Sequence, residues 1–99
     1  MALDFFEIDD DCRQRRLYGL TDTVVLDVSE ALDSFRTIFG FHIDPYGRTK
    51  LSVANLAVLR EQLQKLRKVR PEKDVSIASF VTFLDERILR NQGLIAEGD

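Results

Sequence analysis

Four leucines, Leu56, Leu59, Leu63 and Leu66, recur at three- and four-residue spacing within the stretch from Asp44 to Arg70, and they restrict the fold more than any other feature. That spacing lays them along one stripe of an amphipathic helix. Such a helix is marginal by itself in water, so its stripe has to be covered by other elements of the chain or by a partner. The sequence therefore predicts a packed module before it says anything about chemistry.

Ninety-nine residues suffice for one core and not for two, which predicts a single globular domain over 1–99. Apolar residues make up 44% and charged residues 31%, as in ordinary globular proteins, and no apolar run approaches the ~20 residues of a membrane span. The opening MALDFFEIDDD has early acids and no basic segment ahead of an apolar core, which argues against a secretory signal and for the cytoplasm. Cys12 is the sole cysteine, unable to close an internal disulfide or to build a zinc site with the single histidine, in keeping with a reducing compartment.

The net charge of −3 is unevenly spread. Asp4, Glu7, Asp9, Asp10 and Asp11 crowd the start, while Arg60, Lys65, Arg67, Lys68, Arg70 and Lys73 gather later. An acidic total argues against a dedicated nucleic-acid binder, because neutralising phosphates supplies most non-specific affinity.

Residues 2–8 carry Leu3, Phe5, Phe6 and Ile8 among acids and predict a first strand, with the two rings facing opposite ways. Leu17, Tyr18 and Leu20 suggest a short edge strand. Thr23 to Val28 is β-branched and bounded by Asp22 and Ser29, which predicts a further strand, after which Ser29 caps a helix ending at Gly40. Phe41 to Ile43 reads as another short strand, and Asp44-Pro45-Tyr46-Gly47 as a turn. Ser52 is placed to cap the leucine helix, and Arg70-Pro71-Glu72-Lys73 to end it. Asp74 or Ser76 then caps a last helix with Ile77, Phe80, Val81, Leu84, Ile88 and Leu89 on its apolar stripe, stopped by Gly93. A link this short makes the two helices an antiparallel hairpin. Leu94-Ile95-Ala96 closes the chain as a final short strand. The expected class is α+β: a small, mostly antiparallel sheet packed against about three helices, including a C-terminal helical hairpin.

Catalytic and metal chemistry find little footing. His42 would share a strand face with Asp44, as a base and its orienter do, but no nucleophile is fixed nearby by sequence. Glu7, Asp9, Asp10 and Asp11 offer oxygen ligands for a hard cation, yet the EF-hand pattern fails immediately after Asp9. GxxxxGK[ST] and GxGxxG are absent, so no cofactor and no metal are expected. The cations from Lys65 to Lys73 suit a helix C-terminus and lack interleaved aromatics for stacking bases. What is left is protein recognition, in which acids steer a basic partner and an aromatic anchors it. The candidate partner-binding residues are Asp9, Asp10, Asp11, Asp44 and Tyr46.

Asp44-Pro45-Tyr46-Gly47, with Thr49 two residues on, a leucine-spaced helix and a terminal Gly98-Asp99, resembles small bacterial proteins regarded as immunity partners of polymorphic toxins. The likeness covers the C-terminal half, and Arg48 departs from the acid expected after the glycine. It implies a cytoplasmic, non-enzymatic chain that plugs or displaces a toxin's active site. The expected function is thus an immunity-type inhibitor of a basic toxin or effector, with no membrane partner and nucleic acid disfavoured. The alternatives are a regulatory or scaffold homodimer using a strand edge at Phe5 or Phe6, and a nucleic-acid-associated regulator.

Overall fold

Helix-forming and strand-forming segments alternate unevenly along the chain, and a computed structural model describing residues 2–10, 15–44 and 46–98 shows how they meet. The order is β1 (Leu3–Glu7), β2 (Tyr18–Leu20), α1 (Asp22–Asp27), α2 (Ser29–Phe39), β3 (Arg48–Leu51), α3 (Val53–Val69), a 3-10 turn (Pro71–Lys73), α4 (Asp74–Leu89) and β4 (Leu94–Gly98). The four strands form one sheet in the order β2-β1-β4-β3, every pair antiparallel. This is the expected α+β class, with four α-helices among the described residues where about three were expected.

Pleating decides which side chains meet the helices. Leu3 and Phe5 of β1, Leu20 of β2, Leu94 and Ala96 of β4 and Leu51 of β3 join one core with the inward residues of all four helices. Phe5 lies 5.4 Å from the Phe80 ring and 6.0 Å from Phe83, both on α4. Phe6 points to the opposite face, where the register sets it beside Ile95, and it is 7% exposed. Since β1 has β2 on one side and β4 on the other, it offers no free edge. A homodimer edge at Phe5 or Phe6 is therefore not available.

The leucine stripe behaves as its spacing dictates: Leu56, Leu59, Leu63 and Leu66 are all buried. Ser52 caps α3 by accepting from the Asn55 N–H at 3.1 Å, while the Asn55 side chain accepts from the Ser52 N–H at 2.9 Å. This reciprocal pair satisfies two amides that the first helical turn would leave open. Arg60 and Arg67 on α3 reach Asp85 and Asp74 on α4, fixing the two helices as an antiparallel hairpin.

Four local expectations are corrected. Thr23–Val28 is helical, because Thr21 accepts from the Val24 N–H and so caps α1, while Val25, Val28, Ala31 and Phe35 make a buried stripe at helical spacing. That packing overrides the β-propensity of the valines. Ser29 consequently lies within α2 and donates its hydroxyl to the Leu26 carbonyl instead of capping. Residues 41–43 form no strand, and the strand of this region is β3, whose Arg48 and Lys50 are exposed while Leu51 is buried.

The fourth correction concerns α4. Neither Asp74 nor Ser76 caps it, and the Asp74 carboxylate accepts from Arg67 Nε at 2.7 Å. Leu89 lies five residues past Leu84, about 140° round the helix, and is 87% exposed. Arg87 takes the inward position, 4% exposed, with a buried Nε that has no hydrogen-bond partner. The helix is stopped by Asn91 and not by Gly93. Asn91 adopts φ 54, its N–H donates to the Ile88 carbonyl, and the Gln92 N–H donates to the Arg87 carbonyl. Gly93 serves packing: a Cβ there would collide with the Leu51 carbonyl oxygen.

Candidate protein-recognition site

The Asp44–Gly47 turn is braced from within. The Asp44 N–H donates to Thr49 Oγ1 at 2.8 Å, and Asp44 Oδ1 accepts from the Tyr46 N–H at 2.9 Å, an aspartate bonding its own backbone two residues on. Gly47 leaves room for that carboxylate, since a Cβ there would sit 2.6 Å from Asp44 Oδ2. The Gly98 N–H donates to the Gly47 carbonyl at 2.9 Å and ties the turn to the end of β4. Asp44 is thus half-buried and committed to the turn, whereas Tyr46 is 78% exposed and packs on no following helix.

The acidic stretch after β1 lies elsewhere. The Asp10 N–H donates to the Glu7 carbonyl at 3.0 Å, and Asp10 Oδ2 accepts from the Arg15 N–H at 3.1 Å, so Asp10 also shapes a turn. Asp9 is exposed. Asp11, like Cys12, lies outside the described residues. Glu7 pairs with Leu94 at one end of the sheet, whereas Leu3 pairs with Gly98 at the other, and about 3.3 Å per residue separates those ends by about 13 Å. Asp9 and Asp10 follow the first end, while Asp44 and Tyr46 precede Arg48 at the second. The structure therefore brings Asp44 together with Tyr46, and Asp9 with Asp10, without uniting the two pairs.

The later basic run is largely engaged by the chain's own acids. Arg70 Nε lies 3.3 Å from Glu30, Lys65 Nζ 3.8 Å from Glu61, and Arg67 bonds both Asp74 and Gln64. Those cations are accordingly less available to phosphates. Among the described residues no cluster of histidine, cysteine, aspartate or glutamate is arranged to hold a metal ion, and no helix is long and apolar enough to cross a membrane.

Comparison with known proteins adds no relative: no family model, curated protein or solved structure matches the chain.

Between α1, α2 and the residues that follow α2 runs an apolar recess of about 250 Å³, lined by Val25, Leu26, Leu32 and Ile43 together with Ser29, Asp33, Arg36 and His42. Ile43 ends this recess three residues before Tyr46. Its only sequence signal is the spacing of Leu32, Asp33 and Arg36, which share a helix face.

Proposed function

We propose that this chain is a small protein-binding module of the immunity type, a cytoplasmic inhibitor that holds a basic toxin or effector. The observation that carries this reading is Tyr46, an aromatic 78% exposed on a turn held by three hydrogen bonds and closed against β4. An aromatic carried on a braced backbone gives large contact area with the main chain already ordered, which is what an interface anchor requires. The net charge of −3 favours encounter with a basic surface. Asp44 contributes by fixing the turn, and Asp9, exposed at the other end of the sheet, acts through long-range steering.

Co-purification of the tagged chain from its native host at moderate salt tests the reading. A basic protein in one-to-one complex, lost from the Tyr46→Ala chain and relieved of its toxicity by the wild type alone, is the expected outcome. A wild-type chain that emerges alone overturns it, and so does a partner retained equally by Tyr46→Ala.

A further inference from the structure

The recess beside α2 has the chemistry of a small-molecule site independent of the Tyr46 turn. Its apolar surface comes chiefly from Leu26, 72% exposed, and the half-buried Leu32, above the buried Val25 and Ile43. Its rim carries three ionisable groups, Asp33 and Arg36 on α2 and His42 on the facing wall. Asp33 and Arg36 are three residues apart on one helix face, a spacing that suits an ion pair. Helical neighbours of opposite charge pair elsewhere in this chain, as Glu61 does with Lys65 at 3.8 Å and Glu86 with Arg90 at 2.9 Å. Asp33 and Arg36 do not, and among the described residues neither side chain nor that of His42 has a bonding partner.

An anion and two donors around an apolar floor form a three-point pattern. At about 250 Å³ the recess is smaller than the roughly 300–1,000 Å³ of sites for drug-sized ligands and suits a ligand of small-metabolite size. We propose that it binds a free α-amino acid with an aliphatic side chain. The ammonium meets Asp33, the carboxylate meets the Arg36 guanidinium and a His42 ring N–H, and the side chain lies on Leu26 and Leu32. Because the charged groups stand on an exposed rim, each ion pair adds modestly to affinity and chiefly sets orientation.

Leucine titrated into the ¹⁵N-labelled chain tests the proposal, alongside N-acetylleucine, leucinamide and N-acetylleucinamide. The expected result is saturable shifts of the Leu32, Asp33, His42 and Ile43 amides with leucine, weakened about two- to fivefold by loss of either ligand charge. Acetylleucine and leucinamide also stand for the last and first residues of a peptide, so equal binding of either would identify a peptide terminus and overturn the free amino acid. Asp33→Asn should erase the preference for leucine over acetylleucine, and Arg36→Gln should reduce the preference over leucinamide, leaving only the His42 share. Both positions are exposed, and circular dichroism checks that the variants stay folded. Four ligands binding alike, or no saturable shift with leucine, would overturn the proposal while leaving the Tyr46 reading intact.

Discussion

The Asp44 N–H and the Thr49 hydroxyl lie 2.8 Å apart across the mouth of the turn that carries Tyr46. Thr49→Val keeps the side-chain shape, removes the acceptor and leaves a half-buried N–H unmatched. Urea denaturation should register a loss of about 1 kcal/mol. Tyr46→Ala, by contrast, changes a side chain that contacts solvent, and its stability should stay within about 0.5 kcal/mol of wild type. A pair of variants that differ this way separates the brace from the anchor.

Gly93 supplies a second test. A methyl group there meets the backbone carbonyl of Leu51, which cannot swing aside as a flexible side chain would, and also comes within 3.0 Å of Ile8 Cδ1. Gly93→Ala should cost about 1–3 kcal/mol, the range for overpacking a tight interior.

At Asn91 the backbone conformation is the constraint. With φ at 54, a β-branched side chain is strained, so Asn91→Val should cost about 1–2 kcal/mol while Asn91→Gly is tolerated. For a domain of this size that difference is a fall in Tm of several degrees, about 4–8 °C per kcal/mol.

Arg87 gives the opposite sign. Its aliphatic stem fills the core-facing side of α4, but its Nε is buried without a hydrogen-bond partner. Arg87→Met retains most of that packing and removes the desolvated polar atom. Stability should be unchanged or higher by on the order of 1 kcal/mol, read as a shifted urea midpoint at constant slope.

What the sequence revealed depended on how local the cause was. The leucine stripe of α3, the cap at Ser52 and the stop at Gly40 are set by neighbours within a few residues, and all three were legible. β3 was not, because Arg48-Thr49-Lys50-Leu51 is mostly polar and becomes a strand by pairing with Glu97 to Leu94, supplied by a distant part of the chain. In α1 two local signals competed: β-branched valines favoured a strand, but the three-residue step from Val25 to Val28 continued into α2 and marked the helix. At the candidate site, proline and glycine announced the turn, whereas its internal brace from Asp44 to Thr49 depended on where β3 begins. That His42 lines the same recess as Asp33 and Arg36 was equally invisible, since it follows from the path the chain takes after Gly40.

Of the four described strands β4 comes latest in the chain, yet it lies in the interior of the sheet between β1 and β3. During synthesis, the first and third strands therefore emerge with nothing to zip them together until residues 94–98 arrive. Assembly of the sheet has to wait for those residues, and the closing step joins distant parts of the polypeptide, a topology that slows folding relative to a simple helical bundle. Until that moment the growing chain exposes an unpaired flank of β1 to whatever else in the cell can add a strand.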